Sequence, residues 1–502
     1  MCNSIAYIHL YREYVQLDCT YIGVSSKIKK RQKCCNFVFD MQISTQKRIN
    51  CNYCTYICSA ITQIYTKMII NFSIQNFGSI KDKQTLSFEA DKSSHLEDYY
   101  IIKKNGLRLL KLGLIYGANA SGKTTILKAL QFLRDLVLEP EVKKTESLDF
   151  KPFLFNKFSQ WENTILSIDF IQKEKRYFYE VEFNEIAIVN ETLNHYNPTK
   201  ANVFKRTTDL EKQYTSISFG SKIKTDKTFE KTLESNTLWN NTVLGGYLKT
   251  NIEMKELKDA TDWFTNYLRP LIYTKTDLDS FVTSRIDKQE IKKEDVVSIL
   301  KKADFNISDI VIQKEEEEIP DGLIEFLEKQ IKDSGNEIKA LKNKGKITSV
   351  NLELEHTVGD NKYSLPLKLE SQGTVRYYGF AGILSLLLKK SIAFPIDELE
   401  ASLHPDLYVH FLLSFLVNSK RSQIIATTHN REILNNKDIF RDDAIWFTDK
   451  TDECATELYS LADFDSSVIR DTSNVYNAYK IGKLGAVPNL GDYFIDIADE
   501  KK

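Results

Sequence analysis

Gly117-Ala118-Asn119-Ala120-Ser121-Gly122-Lys123-Thr124-Thr125 carries the spacing G-x-x-x-x-G-K-[ST]. In that pattern the loop's N–H groups wrap an anion, the lysine reaches the terminal oxygens of a polyphosphate, and the hydroxyl of Thr124 holds Mg²⁺. Every residue from Gly117 to Thr125 is therefore a candidate ligand contact. Asp397 and Glu398 close the apolar run Ser391-Ile-Ala-Phe-Pro-Ile. The first carboxylate suits the metal held by Thr124, and the second, pointing elsewhere, suits orienting or deprotonating an attacking water. His429 closes a second apolar run, Gln423-Ile-Ile-Ala-Thr-Thr, where an imidazole can hydrogen-bond a terminal phosphate. Ser371 and Gly373 stand at the head of a long apolar segment, where a hydroxyl and free N–H groups face an anion. Together these groups outline Mg²⁺-assisted attack of water on a phosphoanhydride.

Each group needs an element to aim it. Leu112 to Tyr116 is a short apolar run and Ile126 to Leu138 is amphipathic, so the Gly-rich turn sits between a strand and a helix that ends before Pro140. The partial positive charge of the helix start adds to the anion site. The Ser391 run reads as a buried central strand, Asp406 to Val417 as a helix, and the Gln423 run as the next parallel strand, a right-handed βαβ spacing. Tyr377 to Leu388 reads as the helix behind Ser371.

The remaining chain divides by character. Residues 1–67 hold seven of the eight cysteines and lack a clean period. They are expected to be a poorly ordered extension, or translated sequence ahead of a start at Met68. Cys51, Cys54 and Cys58, with Cys34 and Cys35, are an incomplete zinc pattern. Residues 68–204 open with a two-stranded hairpin, continue through the phosphate loop, and end in β-branched and aromatic runs at 164–171, 176–183 and 186–193 that predict an antiparallel meander. Their aromatic side chains are expected to be core and cross-strand pairs. Residues 205–345 are Lys/Glu-rich and are expected to be a mainly helical insertion, with helices at 250–267 and 290–303 and a short helical hairpin carrying Leu323, Leu327, Ile331, Ile338 and Leu341. Glu315 to Glu318 reads as a solvated face. Residues 346–502 resume in strands and carry the second half of the chemistry.

The net charge of −1 gives no global electrostatic reason to bind nucleic acid. No run approaches the length of a membrane span, and the start lacks a signal peptide's basic and apolar regions, so the expectation is a cytoplasmic protein without a membrane partner. One cysteine beyond residue 60 excludes a disulfide-held body.

The ordered set of Gly117 to Thr124, then Ser371-Gln-Gly-Thr, then Ile392 to Pro405, then Ala426-Thr-Thr-His429 resembles the Walker A, signature, Walker B with D-loop, and switch histidine of ABC-type ATPase heads. More narrowly it is similar to the AAA15 or AbiLii-like ATPases, relatives of the overcoming-lysogenization-defect and SMC/RecF heads. Phe72 to Ile80 and Tyr479 to Pro488 match that family's usual ends. The resemblance implies an α/β ABC-ATPase-like head, a P-loop core with an antiparallel β subdomain and a helical insertion. It implies ATP and Mg²⁺ as cofactors, Lys123, Glu398 and His429 as the catalytic set, and a homodimer in which Ser371 and Gly373 of one copy face the γ-phosphate held by Lys123 of the other. It further implies ATP-driven control of a separately encoded effector in anti-phage defence, or, alternatively, a DNA-binding maintenance clamp. The signature departs from the usual Leu-Ser-Gly-Gly-Gln, no glutamine is assignable to the Q-loop, and the chain beyond His429 is too short for the Toprim nuclease of related chains.

Overall fold

The computed structural model describes residues 66–464 apart from 197, 321, 323, 326–341 and 344, and then residues 474–489 and 492. The cysteine pattern before residue 60 and the five heptad residues lie outside the described residues.

The centre is a five-stranded sheet of order β14-β15-β5-β16-β17. Its strands are β5 (Leu112–Gly117), β14 (Ala393–Ile396), β15 (Gln423–Thr427), β16 (Ile445–Lys450) and β17 (Thr456–Ser460). The first four in space run parallel and β17 returns antiparallel. All residues of β5, β14 and β15 are buried, which is why their sequences are unbroken apolar runs without alternation. Helix α1 (Lys123–Leu138) follows β5 directly. Helix α6 (Pro405–Asn418) makes the crossover from β14 to β15 and starts on a His404 cap with Pro405 in its first turn.

Beside this core lies a seven-stranded antiparallel sheet of order β10-β9-β8-β7-β6-β1-β2. It comprises β1 (Met68–Gln75), β2 (Gln84–Ser87), β6 (Thr164–Gln172), β7 (Lys175–Phe183), β8 (Ile188–Tyr196), β9 (Lys200–Asp209) and β10 (Tyr214–Phe219). A small ribbon, β3 (Ile101–Lys104) with β4 (Leu107–Leu110), links β2 to β5. The expected meander is present, and its aromatics are cross-strand and core partners: Phe170 stands opposite Tyr177 with stacked rings 5.4 Å apart, and Trp263 lies 4.4 Å from Phe170.

Trp263 belongs to α2 (Lys255–Asn266), which packs on that sheet and is followed by α3 (Leu278–Asp287) and α4 (Lys293–Lys302). The stretch 205–345 is helical between Lys227 and Lys302 but is bounded by strands: β9 and β10 run into its start, and β11 (Ile307–Glu318) follows α4. In β9 exposed Lys205 and Thr207 flank buried Arg206, and β11 ends in exposed Lys314, Glu315 and Glu316, so composition alone read as a helix surface what is a strand pattern. Glu315 to Glu318 is the end of β11, paired with β12 (Lys346–Val358), and β13 (Asn361–Pro366) completes this three-stranded sheet. Helix α5 (Gln372–Lys389) leads back to β14. The result is an α/β P-loop core with an antiparallel β lobe and a helical stretch set into it.

One side chain stitches the two large sheets together. Gln423, at the start of β15, is fully buried. Its Oε1 accepts the Ile69 N–H (2.6 Å) and the Tyr267 hydroxyl (2.9 Å), and its Nε2 donates to Ile69 O (3.1 Å) and Leu110 O (2.9 Å). Every polar group of the amide is satisfied, as burial demands. Lys111, at the same end of the core, is buried and donates to the last carbonyls of α6, Leu416 O (2.6 Å) and Ser419 O (2.9 Å). Burial pushes its ammonium down to about 8.

Candidate active site

The phosphate loop leaves β5 at Gly117 and enters α1 at Gly122. A Cβ on Gly117 would strike the hydroxyls of Thr448 and Ser121, and one on Gly122, where φ is +104°, would strike Thr456. Both positions therefore need glycine, the first for close approach and the second also for backbone. The neighbouring strands brace the loop. Ser121 and Thr448 hydroxyls lie 2.6 Å apart, and the Thr456 hydroxyl lies 2.8 Å from Ser121 O and 2.8 Å from the Ser79 hydroxyl. Ser79 in turn donates to the Thr125 hydroxyl (3.0 Å). Thr125 thus faces the turn between β1 and β2, while Thr124 faces the other way, toward β14. Ala120 holds a left-handed φ of +62° at the crown of the loop between Asn119 and Ser121.

Lys123 is buried and folds back over the loop, donating to Gly117 O (2.9 Å) and Ala118 O (3.0 Å). Burial lowers its pKa, and the carboxylates of Glu398, Asp397 and Glu400 work against that shift. Three acids therefore share the field of one ammonium.

The Thr124 hydroxyl donates to Asp397 Oδ1 (2.9 Å). A hydroxyl and a carboxylate in direct contact are a hard oxygen pair, and Mg²⁺ takes one or two carboxylates and completes its shell with phosphate and water. The pair therefore fits Mg²⁺. Thr427, the last residue of β15, donates to Asp397 Oδ1 (2.7 Å) and accepts the Glu398 N–H (2.8 Å). Glu398 sits at φ +48°, a left-handed backbone that costs a residue with a Cβ some strain. Its carboxylate and that of Asp397 both lie in the field of Lys123 and of His429.

His429 follows β15 by two residues. Its N–H donates to Glu400 Oε1 (2.5 Å), so the acid two residues past Glu398 holds the turn that carries the imidazole. Burial first, and Lys123 second, lower the His429 pKa, opposed by Glu400, Glu398 and Asp397. The ring is therefore neutral at neutral pH.

A strand-like segment of the inserted stretch covers the outer edge of β14. Leu268 and Ile272 bridge in parallel to Ala393 and Ile396, and the Asp397 N–H donates to Ile272 O (2.8 Å). This brings Tyr273 beside Asp397, and burial followed by that carboxylate raises the Tyr273 pKa. The turn Tyr273 to Thr276 contains no glutamine. Gln131 is committed to the Leu271 N–H (2.7 Å) and to Asp135 (2.7 Å).

Ser371 caps α5, its hydroxyl accepting the Thr374 N–H (3.1 Å), and Gly373 packs against Ser402 O. Among the described residues no hydrogen bond joins Ser371 or Gly373 to the phosphate loop. Lys123, Thr124, Asp397, Glu398 and His429 converge within one chain, whereas Ser371 and Gly373 stand at the start of α5 against Ser402. Sequence reasoning missed Ser79, Thr448 and Thr456, whose single hydroxyls stand in no readable spacing, and gave no role to Thr427 and Glu400, which it quoted inside longer motifs.

A family model described as "AAA domain, putative AbiEii toxin, Type IV TA system" matches residues 114–236 and 270–435, more than half of the chain. No curated protein matches. Solved structures similar to the chain include an Smc head bound to the C-winged helix domain of ScpA, 12% identical, covering 78% of this chain and 97% of that one with a TM-score of 0.37. The SMC head domain from Thermotoga maritima is 12% identical, with 78% and 98% covered and a TM-score of 0.35. An Smc head with an extended coiled coil, bound to the C-terminal domain of ScpA from Pyrococcus furiosus, is 13% identical, with 83% and 98% covered and a TM-score of 0.33. No helix among the described residues is long and apolar enough to cross a membrane.

Proposed function

The chain belongs to this AAA-domain family, and on that premise we propose that it hydrolyses ATP to ADP and phosphate as a homodimer of ABC-type heads. The narrower kinship with the AAA15 or AbiLii-like ATPases, and a role in anti-phage defence through a separate effector, belong to the same reading and rest on the order of the motifs. The carrying observation is the chain of contacts Thr124 to Asp397 to Thr427 to Glu398.

In this reading the loop N–H groups from Gly117 to Thr124 bind the phosphates, and Lys123 leaves the Gly117 and Ala118 carbonyls to meet their terminal oxygens. Thr124 and Asp397 would hold Mg²⁺, which supplies charge neutralisation on the phosphates. Glu398, which shares the field of Lys123 and His429, takes the proton of the attacking water. His429, neutral and held by Glu400, orients on the γ-phosphate. Ser371 and Gly373 of the second copy complete the cradle.

The test compares two variants for binding and turnover. Lys123→Ala loses labelled-ATP binding, while Glu398→Gln keeps it and loses about 10²–10⁴ in turnover, the usual share of a general base. A Glu398→Gln protein with unaltered turnover would sink the assignment.

A further inference from the structure

Two surfaces lie beside the two halves of the proposed nucleotide site. The first is the loop Phe153 to Trp161. Leu154, Phe155, Phe158 and Trp161 are 58, 75, 75 and 82% exposed, a contiguous apolar group of a kind that marks interaction sites. The loop is held in place. The Asn76 side chain donates to Ser159 O (2.8 Å) and Glu162 O (2.9 Å) and accepts the Phe153 N–H (3.0 Å). The Gly78 N–H donates to Lys151 O (2.8 Å), and Gly78 itself packs on the Thr125 side chain. The loop is thus tied through Gly78 to Thr125, in the first turn of α1.

The second surface is a cavity of about 700 Å³ between α3 and the β11–β12–β13 sheet. Leu367, Lys368 and Val375 line it, so it opens within four residues of Ser371 on either side. Asp279, Glu315 and Glu353 make its wall acidic. The exposed loop carries Lys157 in its middle.

We propose that the Phe153–Trp161 loop of one copy enters this cavity on a second copy. The inference rests on the head-dimer reading above, because a dimer that carries Ser371 to the phosphate at Lys123 carries both surfaces to one seam. Two-fold symmetry makes the contact twice. The aromatic side chains cover Leu367 and Val375, and Lys157 meets the acids, giving the apolar anchors and the charge match that interfaces use.

The test is sedimentation of the full-length Glu398→Gln protein with ATP and Mg²⁺, with ATP affinity measured in parallel. Adding Phe158→Asp weakens the dimer about 100-fold, as loss of an aromatic anchor does. Lys157→Glu weakens it about tenfold, and Glu353→Lys in the same chain restores it. ATP affinity stays unchanged in all, which also reports that each variant is folded. A parent protein that binds ATP and stays monomeric overturns the head dimer and this contact together. A dimer indifferent to both loop variants overturns the contact and leaves the dimer standing. Loss without rescue by Glu353→Lys likewise overturns the contact.

Discussion

Thr427 donates a 2.7 Å hydrogen bond to Asp397 across two neighbouring parallel strands, while the same hydroxyl accepts the Glu398 N–H. One small side chain therefore holds the Asp397 carboxylate and the backbone of Glu398 together. Thr427→Val keeps the shape and removes both bonds. A hydrogen bond to a charged group is worth about 1.5–3 kcal/mol, so turnover is expected to fall about 10- to 100-fold with ATP affinity nearly unchanged. Steady-state kinetics beside equilibrium nucleotide binding check it, and equal losses in both would refute the positioning role.

The pH dependence of turnover should carry the mark of His429. Burial and Lys123 hold its pKa below the ordinary 6.5, so the ring stays neutral as pH falls to that value and gains a proton only below it. The acid limb of the rate profile is expected below pH 6.5 and is expected to disappear in His429→Ala. A profile with the same acid limb in both proteins would assign it to another group.

Stability at high pH should respond to Lys111. Its folded pKa is pushed down to about 8 from an ordinary 10.5, so between those values the unfolded chain binds more protons than the folded one. Folding stability contributed by this residue rises with pH across that window, by at most about 1.4 kcal/mol per unit. Denaturant titrations from pH 8 to 10.5 on the parent and on Lys111→Met read the difference, and parallel pH dependences would rule it out.

Gln423 holds β1, the end of β4 and Tyr267 to the central sheet. Gln423→Leu leaves the Ile69 N–H and the Leu110 carbonyl without this partner in the core, while the Tyr267 hydroxyl keeps Met68 Sδ at 3.7 Å. With each orphaned group costing about 1–3 kcal/mol, a loss of about 2–6 kcal/mol is expected. Urea unfolding measures it, and a change below about 1 kcal/mol would show that the groups find other partners.

The backbone at Glu398 makes a further expectation. Left-handed φ costs about 1–2 kcal/mol for a residue with a Cβ and little for glycine. Glu398→Gly is therefore expected to be more stable than Glu398→Ala by about 1 kcal/mol, the reverse of the order in helices. Both lose turnover. Thermal unfolding of the pair decides, and Ala above Gly would mean that the turn relaxes once the carboxylate is gone.

The parts that the sequence announces are those in which a buried parallel strand forces an unbroken apolar run and ends it at a functional residue. Leu112 to Tyr116, Ile392 to Ile396 and Gln423 to Thr427 are such runs, and Lys123, Asp397 and His429 follow from them directly. The bracing of the loop was not legible, because Ser79, Thr448 and Thr456 are isolated hydroxyls that acquire meaning only when β16 and β17 are set beside β5. Residues 200–219 and 307–318 were obscured for another reason: strands with one wet face carry the same Lys and Glu as a helix surface. The short segment before Tyr273 pairs with β14 through two bridges, too little for any period to show, yet it places a phenol beside Asp397.

The order of strands in the central sheet also has a consequence for synthesis. Both neighbours of β5 come from the far end of the chain, and Ser121 waits for a partner 327 residues downstream, Thr448. At about 5–20 residues per second, that interval is roughly 20–60 s on the ribosome. Until residue 398 is made the nascent phosphate loop lacks the strand that supplies its acids, and until residue 448 it lacks the strand that props its serine. A chain released early, or stalled before residue 448, would carry an intact Gly117 to Thr125 sequence and no formed nucleotide pocket.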